Sequence, residues 1–288
     1  MALVLRPLSI GEMLDRTFNL YRNHFKLFAG LMVLPQLVIF AMSFGVVLIP
    51  ALVTSVGGSS SSAAVIGMMG VLIYFPVLLV VNLIAYAMAQ GATVYAVSQV
   101  YLERNTTISA SYAFVRGRFW SVLFVAVLTS LAVGFGLLAF IIGALFAALF
   151  CSLAVPVTVL EGRDAIESIK RSFNLVKDDL GRIFLIMFVF VCIQYAVSWA
   201  IAIPAVALAA LLPSHGQAQL WVNGLMYFGN FVSGCLVSPL LYIALSIAYY
   251  DERVRKEAFD MQFMMAAIDR NAMAGAAVAA SPLVPPSV

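Results

Sequence analysis

Charge is what this sequence has least of. Of its 288 residues, 10% are Asp, Glu, Lys or Arg and 64% are hydrophobic, against about 25% charged in an ordinary soluble domain. A water-soluble fold would lack the polar surface to cover itself. Histidine is nearly missing, with His24 and His215 alone. The topology argued below puts them on opposite sides of a membrane, which excludes one shared metal or acid–base site. Cysteine is also scarce: Cys151, Cys192 and Cys235 stand singly in apolar runs without CxxC spacing. Neither a disulfide framework nor a zinc site follows, and packing roles are expected. The net charge is only +3, and no nucleic-acid partner is expected.

What the chain has in abundance is apolar length. Charge-free stretches cover residues 27 to 56, 63 to 100, 119 to 160, 183 to 212 and 220 to 250. A hydrocarbon core about 30 Å thick takes roughly 20 apolar residues per helical span, so the class is an all-α integral membrane protein. The charges fall in four clusters, at 6 to 26, 103 to 118, 161 to 182 and 251 to 270, while the connections Gly57 to Ser62 and Pro213 to Gln219 hold no Lys or Arg. Basic residues are retained in cytoplasmic loops, so the clusters read as one, cytoplasmic side. Each pair of successive clusters then encloses an even number of crossings, which gives six transmembrane helices with both ends in the cytoplasm. The first apolar run begins near Leu27 without a small-residue cleavage site after it and is expected to remain in the mature chain.

Ser9-Ile10-Gly11-Glu12 fits a capping box with Leu8 and Met13 as its hydrophobic staple. Beyond it, Leu14, Phe18, Tyr21 and Phe25 line one face of a helix suited to the headgroup boundary. The pattern returns 155 residues later: Asp164 to Glu167 as cap, Ile169, Phe173, Val176 and Leu180 as face, and Arg171-Ser172-Phe173-Asn174-Leu175 opposite Arg16-Thr17-Phe18-Asn19-Leu20. A weaker copy holds Ile108, Tyr112, Val115 and Phe119. Thr17, Ser111 and Ser172 take one equivalent position, and Arg22, Arg116 and Lys177 another. The sequence therefore reads as three parallel repeats of an amphipathic surface helix plus a helical hairpin, in units of about 8–100, 101–161 and 162–250. A cytoplasmic helix at 251–270 completes a single membrane domain of residues 1–270. Residues 271–288, rich in Ala and Pro, read as a disordered tail. A tight turn between Gly134 and Gly143 separates spans three and four. The first unit is about 33 residues longer than the second, room enough for a re-entrant segment.

No ionisable side chain falls within the spans, where such groups are costly and tend to be functional. Gln36, Asn82, Gln90, Gln194, Asn223 and Asn230 are the most polar residues there. Of these, Gln36, Asn82, Gln194 and Asn230 are candidates to line a path for a neutral or lipid-like solute, against the more common role of bonding between helices. Pro35, Pro50, Pro76, Pro156, Pro204 and Pro239 are tolerated in membrane helices, or break them around a binding site. Gly143, Ala147 and Cys151 give a small-residue packing ridge. Glu161, Asp164, Glu167, Asp178 and Asp179 alternate with Arg163, Lys170, Arg171, Lys177 and Arg182, the pattern of a solvated, salt-bridged surface rather than a metal cluster. Arg16, Arg22, Arg116, Arg118, Lys170, Arg171 and Lys177 are candidates for holding acidic lipid headgroups, each basic group near an anionic leaflet gaining roughly 1 kcal/mol. The bland alternative is topology anchoring.

Arg6-Pro7-Leu8-Ser9-Ile10-Gly11-Glu12-Met13-Leu14-Asp15-Arg16 resembles the opening of a bacterial family labelled glycerophosphoryl diester phosphodiesterase membrane domain. Glu161-Gly162-Arg163 with Ile169-Lys170-Arg171-Ser172, and Tyr249-Tyr250-Asp251-Glu252-Arg253-Val254-Arg255-Lys256-Glu257, extend the resemblance over nearly the whole chain apart from the tail. It implies a multi-span membrane protein, not the phosphodiesterase activity, which belongs to a fused soluble barrel absent from this sequence. A metal-dependent phosphodiesterase needs His and carboxylate groups converging on one site, and two separated histidines do not supply them. The expectation is a protein that is no enzyme and needs no cofactor or metal. It would work with membrane lipids or a cytoplasmic protein partner through its surface helices. The competing reading is a transporter or channel for a small or lipid-like substrate, which a continuous polar cavity would favour.

Overall fold

The computed structural model describes residues 8–57, 61–138, 140–211 and 216–257, and their regular structure is entirely helical. In chain order the helices are α1 (Ile10–Asn23), α2 (Phe25–Gly57), α3 (Ser61–Tyr101), α4 (Ile108–Gly117), α5 (Phe119–Leu138), α6 (Phe140–Cys151), α7 (Ala154–Glu161), α8 (Ala165–Val176), α9 (Leu180–Leu211) and α10 (Gly216–Glu257). Six stretches are long and apolar enough to cross a membrane: Phe25–Val46, Val65–Tyr101, Phe119–Leu138, Phe140–Glu161, Leu180–Ala207 and Val222–Lys256. That is the make-up of a multi-pass membrane protein. The extra length of the first hairpin goes into two continuous helices of 33 and 41 residues. The fourth span is the broken one, α6 giving way to α7 at Ser152-Leu153.

Helices α2, α3, α9 and α10 form the main bundle, with α2 packed against both α3 and α10, and α9 against α10. The α5–α6 hairpin lies beside it, through α3 and α8. Its turn falls inside the interval expected, and Phe140 takes φ 81° there. Gly136 makes the tight pairing possible: a Cβ added to it would lie 2.6 Å from the Gly143 carbonyl oxygen.

The charged clusters gather at one end. Leu8 N–H donates to Asp251 at 2.6 Å, Arg182 pairs with Asp251 at 2.6 Å, Tyr249 hydroxyl donates to Glu161 at 2.8 Å, and Arg118 donates to the Val159 carbonyl at 3.0 Å. Between them these contacts tie the starts of α1 and α9 and the ends of α4, α7 and α10.

The box at the start of α1 forms as the sequence dictates: Glu12 N–H donates to Ser9 Oγ and Ser9 N–H to the Glu12 carboxylate, with Leu8 and Met13 buried beneath. Asp164 holds the matching position before α8 but its side chain makes no capping bond. It is exposed to solvent, where a carboxylate needs no backbone partner. The apolar faces read from the sequence are buried only in part: Val115 and Val176 are 0% exposed, and Leu14, Tyr21 and Ile169 pack against the core. In α1 the buried residues are Met13 and Thr17, while Phe18 and Phe25 are 43% and 44% exposed; Phe173 of α8 is likewise 44% exposed. In a hydrocarbon surround an aromatic side chain gains little by turning inward, so these three rings face outward while the small hydroxyls of Thr17 and Ser172 fill the contacts.

Proline shapes α2. Pro35 has no N–H to give the carbonyl four residues earlier, and that carbonyl, on Leu31, accepts the Tyr112 hydroxyl from α4. Burial pushes the Tyr112 phenol up to about 12, so it stays a neutral donor. The tail at 271–288, the charged continuation past Glu257, Gly58 to Ser60 and His215 lie outside the described residues.

Candidate functional site

A cleft of about 470 Å³ opens between α2, α9 and α10, with Tyr86 of α3 at its edge. Gln36, Gln194 and Asn230 all line it, together with Tyr195, Tyr227, Ser238 and Tyr242, and Phe40, Phe190 and Phe231 supply apolar wall. Three of the four intramembrane amides singled out in the sequence thus converge. Asn82 does not, and donates instead to the Leu78 carbonyl of its own helix at 2.8 Å.

The depth follows from helix rise. Gln36 lies 11 residues into α2 and Gln194 14 residues into α9, about 17 and 21 Å from the charged end at 1.5 Å per residue. Both are well inside a core about 30 Å thick.

Each polar group is held differently. Gln194 Nε2 donates to Ser233 Oγ at 2.7 Å, and Ser198 and Ser233 hydroxyls sit 3.1 Å apart, a knot joining α9 to α10. Gln36, 4% exposed, reaches the Tyr86 hydroxyl only at 3.4 Å. Its amide lies flat against Gly234, where a Cβ would come within 2.5 Å of it. Gly234→Ala is therefore expected to push the Gln36 amide out of its present position, moving a spectroscopic probe in the cleft while leaving the α9–α10 knot intact. Asn230 is exposed to the cleft. Rings close the upper wall, Phe40 against Phe231 at 5.6 Å and Phe44 against Tyr227 at 5.6 Å.

Within the cleft wall, between Ser238 and Leu241, α10 is softened by Pro239, which offers no N–H to the Cys235 carbonyl. One residue on, the Leu236 carbonyl accepts the Tyr21 hydroxyl of α1 at 2.8 Å. Burial pushes that phenol up to about 12, helped by Cys235 nearby. The cleft wall carries no Asp, Glu, Lys, Arg or His among the described residues. It offers amide, hydroxyl and phenol groups on an aromatic frame, chemistry for hydrogen bonding to an uncharged molecule.

The basic candidates are spread over the charged end. Arg22, Arg116, Lys170 and Lys177 are exposed. Arg16 interacts with Tyr101. Arg171 donates to Glu161 at 3.5 Å. Arg118 binds the Thr158 and Val159 carbonyls at the end of α7 and lies 5.2 Å over the Phe114 ring.

Residues that the sequence gives no site role form a buried lock at this end. Asp251 and Glu252 are 3% and 0% exposed. Asp251 receives Leu8 N–H, Arg182, and Arg255 at 2.8 Å, and the Leu8 carbonyl accepts both Arg182 and Arg255. Glu252 faces Arg182 at 3.8 Å, with no hydrogen bond to either oxygen. Glu161 was read as part of a solvated surface. Its side chain is only 11% exposed, and it accepts Tyr249, Arg163 and Arg171. Asp178, by contrast, stays 63% exposed beside Lys256 at 2.8 Å, whose hydrogen bond lowers its carboxyl below the usual range. Alternating charges look the same in sequence whether they face water or one another, which is why the buried acids went unnoticed. The single signal was position, since Asp251 and Glu252 follow directly on an apolar helix.

Neither family models, curated proteins nor solved structures give a match to this chain.

Proposed function

We propose that this protein binds, and carries across or within the membrane, an uncharged hydrogen-bonding amphiphile, a small or lipid-like substrate, without chemically altering it. The convergence of Gln36, Gln194 and Asn230 on one cleft carries the reading. Desolvating a formal charge there would be costly, with no counter-ion on the wall, so the ligand is neutral, its head bonded by the amides and its chain against the rings. Pro239 in α10 and Pro204 in α9 supply the softened helix segments that a carrier flexes.

The test is retention of a fluorescent diacylglycerol by the purified chain in detergent. Gln194→Leu together with Asn230→Leu is expected to weaken it about tenfold, the loss of two intramembrane hydrogen bonds, with stability lowered by about 0.6 kcal/mol for the lost Gln194–Ser233 bond. Unchanged retention in a folded double variant removes the reading.

The architecture belongs to the same proposal: three parallel surface-helix-plus-hairpin units, charged ends in the cytoplasm of a bacterial inner membrane. Thr17, Ser111 and Ser172 are each 0% exposed while Arg22, Arg116 and Lys177 are exposed, which supports their equivalence. The family resemblance is kept as part of the proposal. The segments around Leu8, Glu161 and Tyr249 to Arg255 meet in the buried lock, which fits a structural motif rather than a catalytic one.

A second reading is a non-catalytic component that engages acidic lipids or a cytoplasmic protein at the charged end. Exposed Arg22, Arg116, Lys170 and Lys177 favour it. Replacing Arg16, Arg22, Arg116, Lys170, Arg171 and Lys177 with Gln should then abolish preference for anionic liposomes, and an unchanged preference removes the lipid part.

A further inference from the structure

Two cavities away from the cleft share a wall. The first, about 550 Å³, lies where α4 meets α5 and is lined by Arg116, Gly117, Arg118, Phe119, Trp120 and Ser121, with Met88 of α3. The second, about 340 Å³, runs between α2 and α3 under Tyr112 and is walled by Leu34, Pro35, Val38, Val81, Ile84 and Ala85, again with Met88. From Val81 to Met88 is seven residues of helix, about 10 Å of groove pointing from the interior towards the charged end. The two differ in kind. The groove is wholly apolar, with Pro35 on its α2 side and Tyr112 of α4 over it, the Tyr112 hydroxyl tied to Leu31. The outer cavity has two guanidinium groups and no carboxylate on its wall. Arg118 is anchored by the α7 carbonyls, whereas Arg116 is exposed and makes no ion pair among the described residues. Trp120, 67% exposed, stands at the rim, the place where indole rings favour the headgroup level.

We propose that these two cavities form one binding site for an anionic phospholipid, its phosphate at Arg116 and Arg118 and one acyl chain in the groove along Met88, Ala85 and Val81. Charge complementarity selects the anion, and a chain-width apolar groove opening directly beneath the charge selects a lipid over free phosphate. The site is separate from the cleft. It deepens the charged-end lipid reading, on which it rests only for placing that end at the headgroup boundary.

Native mass spectrometry of the full chain in detergent, titrated with phosphatidylglycerol, phosphatidylcholine and inorganic phosphate, tests it. Arg116→Gln is expected to weaken phosphatidylglycerol about fivefold, the share of one basic group at a membrane surface, and Lys26→Gln, an exposed cation elsewhere at the charged end, to leave it unchanged. Ala85→Phe, which fills the groove, is expected to weaken both lipids, with Val81→Phe as the alternative if that variant fails to fold. Equal losses from Arg116→Gln and Lys26→Gln would mean diffuse surface attraction and overturn the site while leaving the general lipid reading standing. Full lipid binding with a filled groove, or phosphate competing as well as lipid, would overturn it equally.

Discussion

Asp251→Ala should lower the stability of the folded chain by about 3–5 kcal/mol, the cost of removing one partner from a buried charge cluster. The Asp251 side chain is fully buried and accepts from three directions: Leu8 N–H at 2.6 Å, Arg182 at 2.6 Å and Arg255 at 2.8 Å. Removing it takes from the Arg182 guanidinium, 10% exposed, its close carboxylate partner and leaves it only Glu252 at 3.8 Å and the Leu8 carbonyl, and it leaves a buried backbone N–H unsatisfied. The lock also spans the chain, joining the approach to α1, the start of α9 and the end of α10, so its loss frees three helices together. At about 2–4 °C per kcal/mol for a chain of this size, the melting temperature in micelles should fall by roughly 10 °C. Arg182→Ala with Asp251→Ala should cost less than the two single changes added, because the pair is coupled. A change for Asp251→Ala within about 0.5 kcal/mol, the range of ordinary surface substitutions, would show that water reaches the cluster.

The second large effect is steric. Gly136→Val should destabilise the α5–α6 hairpin by about 3 kcal/mol, at the upper end of overpacking costs. The atoms in the way are backbone: the Gly143 carbonyl oxygen at 2.6 Å and Ala144 Cα at 2.9 Å from the added Cβ. A side chain could rotate aside, but a helix backbone moves only if the hairpin opens. Gly134→Ala is the control. Nothing lies within 4 Å of its added Cβ, so it should be neutral or slightly stabilising, alanine being the better helix former. Thermal denaturation of the two variants side by side decides the matter, and equal melting temperatures would mean that the hairpin is not packed through Gly136.

Much of the candidate site was legible because polarity inside oil is rare. Gln36, Gln194 and Asn230 stand out in any charge-free run, and they do line the cleft. Their joint orientation was not legible. Asn82 looks the same in sequence and bonds to its own helix, and the knot around Ser233 and Ser198 joins residues 35 apart through hydroxyls that carry no signal of their own.

Six apolar helices, the turn within 134–143 and the Ser9–Glu12 box were set by the sequence itself, since each depends on local chemistry: apolar length, backbone reversal, and amides reached by a side chain three residues away. Which face of each helix points inward was decided only by tertiary packing. Hydrophobicity sorts inside from outside when water is the solvent, and with hydrocarbon outside that distinction weakens, so of the expected apolar faces Val115 and Val176 are buried while Phe18, Phe25 and Phe173 face out, and Thr17, Ser111 and Ser172 face in. The same holds for Asp251, Glu252 and Glu161, whose burial depends on partners brought from distant helices.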